Sequence, residues 1–361
     1  MPNLNKSTSV AASAAAILGA SAHDRTRQTS AVKIETPTVT ARDWFALGSR
    51  VPYDPQAKRI LRPGDATGAS DIVQVFRRTA NEAAADTDTV WTSFLPGWPD
   101  GSFGWAKVDR HLVGKSHGPR LFVEYIGHGD SDKPSDYPYG TVERADLVEA
   151  LWEAEGITAT FIVGFDYSSI VALELLSRQQ ERRDQGIEPA TRINGVLLIN
   201  GGLFVDAHTH PWFTTPVLKS PLGGLVTSLA QRSRVAFAEL MKPLWSKDYE
   251  VTAEEIDELR EAIGRRNGVA ALSKSAGFVD QHKRHAERWD LGRLFHAAKD
   301  TVAFHIVGSE DDPFEWRQAQ AARERLGAEG LDVRILPGGH LTTSEHPDLL
   351  AQIIQEVGPQ H

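Results

Sequence analysis

The stretch FIVGFDYSSIVAL, residues 161–173, decides the fold, because an apolar run ends in one carboxylate between small residues and then continues with a helical pattern. This order indicates a buried strand, a sharp turn called a nucleophile elbow, and a helix, with Asp166 at the apex. The backbone crossing at the elbow requires small residues, and Gly164, Ser168 and Ser169 meet that requirement. A carboxylate at the apex can attack an sp³ carbon and form an alkyl ester. Alternatively, Asp166 or Ser168 only caps the helix, a position that both residue types favour.

Two later segments supply an acid and a histidine, in the chain order nucleophile, acid, histidine that such sites use. The strand-like run TVAFHIV, residues 301–307, ends in the turn GSEDDP, where Asp311 is the predicted acid and Glu310 and Asp312 remain open alternatives. A second strand-like run leads through Pro-Gly-Gly to His340, the predicted base for hydrolysis of the ester. One acid in a turn, or one of thirteen histidines, has little meaning alone, but their order after the elbow favours a catalytic set.

A third segment, VWTSFLPGWP at residues 90–99, has the pattern of a strand that stops at a tight turn upstream of the elbow. Two backbone N–H groups usually form the oxyanion hole beside such an elbow, one from this turn and one from the residue after the nucleophile. Trp98 and Tyr167 are therefore the predicted donors.

These motifs resemble those of the α/β-hydrolase superfamily, in its epoxide hydrolase and haloalkane dehalogenase branch. The run GFDYSS at residues 164–169 is similar to the branch's small-x-nucleophile-x-small-small motif, and PGWP at residues 96–99 resembles its His-Gly-x-Pro. The run IGHGDSDKP at residues 126–134 resembles the turn after the fourth strand. Within the branch, IVALELL at 170–176 and NGGLF at 200–204 resemble the mesoderm-specific transcript protein subgroup.

The resemblance covers about residues 40–358. It implies an α/β-hydrolase fold, with a mostly parallel eight-stranded sheet, helices on both faces and an inserted helical cap. From about residue 70, short apolar runs alternate with helical segments, as such a covered sheet requires. The expected divisions are a leader that is a signal peptide or disordered (1–35), a first core part (36–202), the cap (203–295) and a second core part (296–361).

Four positions depart from the family pattern and bear on the substrate. Pro96 and Phe165 stand where the family usually has histidine, Tyr167 stands where dehalogenases have a halide-binding Trp, and Trp98 stands where many of them have Asn. A leaving chloride needs a pair of N–H donors, and the usual pair is absent here. The resemblance therefore favours an epoxide hydrolase, with a haloalkane dehalogenase as the alternative and a catalytically silent small-molecule binder as a second alternative.

An epoxide also needs an acid to protonate its ring oxygen, which the resemblance assigns to cap tyrosines. Tyr249 is the only tyrosine between residues 203 and 295, so it is the predicted acid. Phe165, Trp212 and Trp245 are the predicted lining of the substrate pocket.

The composition and net charge limit the classes of partner that this protein is expected to bind. The 361 residues are 41% hydrophobic and 24% charged, enough for a large core with an inserted module, and the net charge of -9 argues against nucleic acid. There are no cysteines and no run of 18 or more apolar residues, so disulfides, thiolate zinc sites and a membrane span are not expected. The predicted partners are a small hydrophobic substrate and water.

Weaker motifs give no cofactor. Gly114-Lys115-Ser116 lacks the first glycine of a P-loop, since Asp109 stands there, and DAHTH at residues 206–210 has only weak metal-ligand spacing. We therefore expect neither a cofactor nor a metal. At the N-terminus, Lys6 and the weakly apolar run that follows it leave cytoplasmic location and export through a signal peptide both open.

Overall fold

A nine-stranded sheet organises the computed structural model, which describes residues 39–65, 71–82, 86, 88–114, 118–209, 231–268, 271, 274 and 277–359. The predicted leader, residues 1–35, lies outside the described residues. The strands are β1 (Ser49–Asp54), β2 (Arg59–Ile60), β3 (Val73–Ala80), β4 (Trp91–Leu95), β5 (Arg120–Val123), β6 (Ala159–Phe165), β7 (Arg192–Ile199), β8 (Ala303–Ser309) and β9 (Asp332–Leu336). Their order in the sheet is β2-β1-β3-β5-β4-β6-β7-β8-β9.

The sheet is mostly parallel, as predicted. The six strands from β5 to β9 in this order pair in parallel, whereas β1, β2 and β3 pair antiparallel. The predicted count of eight strands is wrong by one, because Arg59–Ile60 forms a short edge strand beside β1. Two residues are too few to show the alternating pattern by which strands are predicted.

Helices cover the sheet, as the apolar runs predicted. They are α1 (Ala41–Ala46), α2 (Ala106–Leu112), α3 (Thr141–Ala154), α4 (Ser168–Asp184), α5 (Arg234–Met241), α6 (Ala253–Gly264), α7 (Phe278–Arg284), α8 (Leu291–Ala298), α9 (Trp316–Leu326), α10 (Thr342–Glu345) and α11 (Pro347–Val357). No helix in the described part of the chain is long and apolar enough to cross a membrane. The predicted boundaries between core and cap stay predictions.

Alternate residues of the central strand β6 enter two different cores. Ile162 belongs to the buried cluster that includes α3 and α4, whereas Phe161 and Val163 belong to the cluster that includes α2 and α11. Successive side chains of a strand point to opposite faces, so a strand buried on both faces must be apolar along its whole length. This explains the continuous apolar run before Asp166, and it leaves the C-terminal end of the strand as the place where a polar group meets the loops.

Candidate active site

The elbow forms where the sequence predicts it. Strand β6 ends at Phe165, helix α4 begins at Ser168, and Asp166 between them has a φ of +54°, in the left-handed region that side-chain-bearing residues rarely adopt. The Asp166 N–H donates to the carbonyl of Ile199 at 2.8 Å, which fixes the elbow to the end of β7. At Gly164, a Cβ atom would lie 3.2 Å from the carbonyl oxygen of Ser168, which explains the small residue before the apex.

Three buried side chains from three loops meet at this elbow. His340 Nδ1 lies 2.9 Å from Asp312 Oδ2, and His340 Nε2 lies 3.6 Å from Asp166 Oδ1. Asp166, Asp312 and His340 are 5%, 2% and 3% exposed, so their charges interact with little screening by water. The sequence predicts Asp166 and His340 as members of the set, and the structure brings them together; their catalytic roles stay predictions.

The acid beside His340 is Asp312, whereas the sequence analysis chose Asp311. The N–H of Glu310 donates to the carbonyl of Leu336 at 2.9 Å, and that of Asp311 donates to Gly338 at 3.0 Å, so both backbones are fixed to the β9 end and both side chains are exposed. The chain then turns inward at Asp312. Its second oxygen, Oδ1, accepts the N–H groups of Phe314 and Glu315 at 2.8 and 3.2 Å, which holds the carboxylate towards the imidazole.

The predicted oxyanion donor Trp98 contacts the carboxylate directly. Its backbone N–H donates to Asp166 Oδ2 at 2.9 Å, so one oxygen of Asp166 is held by an amide while the other faces His340. At Gly97 a Cβ atom would lie 2.4 Å from the ring of Phe165, which shows how closely this turn approaches the elbow. The amide of Tyr167 directly follows the carboxylate in the chain, and its role as the second donor stays a prediction.

The predicted pocket residues have different outcomes. Phe165 is buried, and its ring centroid lies 5.4 Å from that of His340. Gly339 packs against the backbone of Trp245, where a Cβ atom would lie 2.6 Å from the Trp245 carbonyl carbon. The indole Nε1 of Trp245 is buried without a hydrogen-bond partner in the described structure. Trp212 lies outside the described residues.

Tyr249, the predicted acid, has its hydroxyl in another network. The phenol donates to Glu255, and the ammonium of Lys107 lies 3.3 Å from the phenol oxygen and also contacts Glu255. Burial, followed by the hydrogen bond to Glu255, raises the pKa of Tyr249. Within the described ranges the hydroxyl contacts neither Asp166 nor His340, so the structure does not bring Tyr249 to the elbow.

Asp100 is a site residue that the sequence analysis missed. It is 4% exposed, and its Oδ1 has no hydrogen-bond partner among the residues described. Burial raises its pKa to about 7, and the nearby charge of Asp166 acts in the same direction. With Trp245 and Leu341 it lines a small cavity of about 50 Å³, which has room for water. The only signal in the sequence is its position directly after Pro-Gly-Trp-Pro.

The charge state of His340 depends on its two acids. Burial alone would lower its pKa, but Asp312 first and Asp166 next oppose this, and the net result is a pKa well above the usual value. The two neighbouring acids therefore favour the protonated form of His340.

The weak motif at residues 206–210 joins a different cluster. His208 Nδ1 lies 2.9 Å from Glu315 Oε1, and its Nε2 lies 2.8 Å from His282 Nδ1. His210 lies outside the described residues, and no group of three or more potential ligands arranged to hold a metal occurs within the described ranges.

An elbow carrying an acid at the C-terminal edge of a mostly parallel sheet, with a histidine and a second acid on later loops, defines an α/β-hydrolase architecture. The model of the Alpha/beta hydrolase family matches residues 94–353, and the chain belongs to this family. The resemblance noted in the sequence is thereby confirmed.

Individual relatives agree with this family. The mesoderm-specific transcript homolog protein of Homo sapiens is 28% identical over 223 residues, which are 61% of this chain and 63% of that protein, so the match spans less than two thirds of the relative's length. The haloalkane dehalogenase DatA from Agrobacterium tumefaciens C58 superposes with a TM-score of 0.60 at 18% identity, covering 86% of this chain and 95% of that one. The epoxide hydrolase CorEH superposes with a TM-score of 0.54 at 15% identity, covering 79% of this chain and 94% of that one. At these identities the two structures show the fold alone.

Proposed function

We propose that this protein is an epoxide hydrolase that works through an alkyl ester on Asp166. The observation that carries the proposal is that the two carboxylate oxygens of Asp166 contact different groups. One oxygen accepts the N–H of Trp98 at 2.9 Å, and the other faces His340 at 3.6 Å. A helix cap would need neither the imidazole nor the amide. Both an epoxide hydrolase and a haloalkane dehalogenase share the fold, which is compatible with this chemistry.

In the first half-reaction a carboxylate oxygen of Asp166 attacks one epoxide carbon. A new C–O bond forms to the enzyme, the ring C–O bond breaks, and the ring oxygen takes the electron pair and then a proton. Asp100 is a buried carboxyl with a pKa of about 7 that senses the charge of Asp166, so it is a candidate donor of that proton. Tyr249, the acid expected from the sequence, is the alternative donor.

In the second half-reaction water cleaves the ester. Esterification removes the negative charge of Asp166, so one of the two groups that raise the pKa of His340 is lost and the imidazole can release its proton to solvent. The neutral imidazole then takes a proton from water, and hydroxide attacks the carboxyl carbon of Asp166. Negative charge develops on the oxygen that faces the Trp98 N–H. As the intermediate collapses, the C–O bond to the substrate breaks and His340 returns its proton to the departing alkoxide, which leaves as the diol. The carboxyl proton of Asp166 then passes to the imidazole, which restores the carboxylate, and Asp100 regains its proton from solvent.

Trapping of the ester tests this proposal. In His340→Gln, attack by Asp166 remains available but ester hydrolysis loses its base, so intact-protein mass spectrometry should show one added substrate mass after mixing with a terminal epoxide. His296→Gln, a change at an exposed histidine in α8, is the matched control and should show no adduct. Turnover of the epoxide by the wild type without any adduct in His340→Gln would exclude a slowly hydrolysed ester.

Dehalogenation is the second candidate, and one observation favours it. The indole Nε1 of Trp245 is buried without a hydrogen-bond partner in the described structure, and it lies on the segment beside the His340 loop. A halide leaves without protonation and needs only N–H donors. Halide release from 1,2-dibromoethane that exceeds diol formation from an epoxide panel, and that is lost in Trp245→Phe, would replace the epoxide proposal.

A further inference from the structure

Arg144, in the first turn of α3, is a buried cation that forms no ion pair with any residue the structure describes. It is 3% exposed, and its Nε, Nη1 and Nη2 atoms have no hydrogen-bond partner among the described residues. Two other buried arginines of this protein are paired, since Arg78 and Arg120 contact the carboxylate of Asp109 at 2.7 and 3.0 Å. Arg144 therefore differs from these two buried arginines, whose charges are compensated by a carboxylate.

Burial of an unpaired charge is costly, because the group loses its hydration and gains no opposite charge. The guanidinium carbon of Arg144 lies 4.4 Å from the ring centroid of Tyr167 and 5.6 Å from that of Tyr125. These ring faces attract the cation but offer no oxygen to the N–H groups in the guanidinium plane. The in-plane donors remain available for a bidentate acceptor.

Two neighbouring side chains also bury polar atoms that have no hydrogen-bond partner among the described residues. The hydroxyl of Tyr167 and both ring nitrogens of His128 are buried without hydrogen-bond partners in the described part of the chain, and the two rings stack with centroids 6.1 Å apart. Burial first, and then the charges of Arg144 and Lys133, hold the pKa of His128 well below its usual value, so this imidazole is neutral. The cluster thus combines one positive charge with an O–H and an imidazole N–H donor.

We propose that Arg144, Tyr167 and His128 form a binding site for the carboxylate of an organic substrate. The planar fork of arginine matches a carboxylate in bidentate geometry, and the phenol supplies a further donor. Tyr167 directly follows Asp166, and after burial and neighbouring groups the charge of Asp166 also raises the pKa of the Tyr167 phenol, so the two side chains are close enough for one short molecule to contact both. The aromatic ring of Phe278, 5.7 Å from that of Tyr167, gives the cluster an apolar side for the carbon chain. Because the chemistry at Asp166 rests on the proposed function, the substrate class is an epoxide that carries a carboxylate.

Binding is tested first, without any reaction. Hexanoate should bind to the wild-type protein at least about 10-fold more tightly than the neutral hexanamide, as expected for hydrogen bonds to a charged group. Arg144→Met should abolish this preference, Arg144→Lys should restore part of it, and Tyr167→Phe should weaken it. Arg323→Met, at an exposed arginine that donates to the carbonyl of Val333, is the matched control and should keep the full preference. Calorimetric titration and the shift in melting temperature measure both ligands.

Turnover separates this inference from the proposed function. For 3,4-epoxybutanoate and its methyl ester, the wild type should show a kcat/KM ratio of about 10- to 100-fold in favour of the acid, and Arg144→Met should bring the ratio close to one. If neither epoxide reacts but hexanoate still binds through Arg144, the carboxylate site stands and the epoxide chemistry fails.

Equal binding of hexanoate and hexanamide to the wild type would overturn the carboxylate site, and this comparison does not depend on the folding of any variant. Stabilisation of the wild type by sodium chloride, with none by hexanoate, would likewise overturn the carboxylate site and would indicate a halide site instead.

Discussion

His340 Nδ1 contacts Asp312 at 2.9 Å, although two other acids precede Asp312 in the same turn. The contact predicts a sharp contrast between neighbours. Asp312→Asn should lower turnover by about 10³- to 10⁴-fold, because the imidazole loses its tautomer-fixing carboxylate. Asp311→Asn should change turnover less than about twofold, because surface groups of this kind interact weakly. Steady-state kinetics on one epoxide measure both, and equal losses in the two variants would remove the positioning role of Asp312.

The buried carboxyl of Asp100 predicts a pH dependence of stability. Its folded pKa, about 7, lies above 3.8, the ordinary value of an aspartate, so the contribution of the neutral form to stability is complete below pH 3.8 and is lost as the pH rises through 7. The wild type should therefore lose stability between pH 5 and pH 8 relative to Asp100→Asn, which cannot ionise. Urea unfolding at both values measures the difference, and parallel behaviour of the two proteins would show that Asp100 titrates normally.

Substitution of Asp100 and of Tyr249 should show which of the two protonates the epoxide oxygen. If Asp100 supplies the proton, Asp100→Asn should slow formation of the ester by about 10²-fold or more, as expected for a general acid. Tyr249→Phe should then have little effect, because the phenol already donates to Glu255. Stopped-flow kinetics in the His340→Gln background isolate this half-reaction, and the reverse result would restore the acid predicted from the sequence.

The close packing under the elbow predicts an intolerant glycine. A Cβ atom at Gly201 would lie 2.0 Å from Ser169 Oγ and 2.3 Å from the backbone oxygen of Asp166. Gly201→Ala should therefore lower the free energy of unfolding by about 1–3 kcal/mol and displace the backbone of Asp166. Gly327→Ala, where the nearest atom would be 3.6 Å away, is the control. Thermal unfolding of both variants compares them, and equal stability would mean that the elbow can relax.

Local patterns were sufficient for the elbow and the central strands, because each depends on neighbours in the chain. Local patterns could not decide between Asp311 and Asp312, because the choice depends on which backbone amides are hydrogen-bonded to the end of β9. Asp100 was missed for a similar reason: its burial and its raised pKa arise from tertiary contacts. Tyr249 was chosen because it is the only tyrosine in its segment. That fact does not show which way its hydroxyl points.

The hydrogen bonds behind Asp312 link the site to a distant part of the chain. Glu315 donates its N–H to Asp312 and holds His208, which in turn meets His282 in α7. Burial, followed by the charge of His208, lowers the pKa of His282 to about 4, so the ring of His282 is neutral at neutral pH. A displacement of α7 would be transmitted through two rings and a carboxylate to the acid that orients His340. Helix α7 is thus connected through hydrogen bonds to the acid that contacts His340.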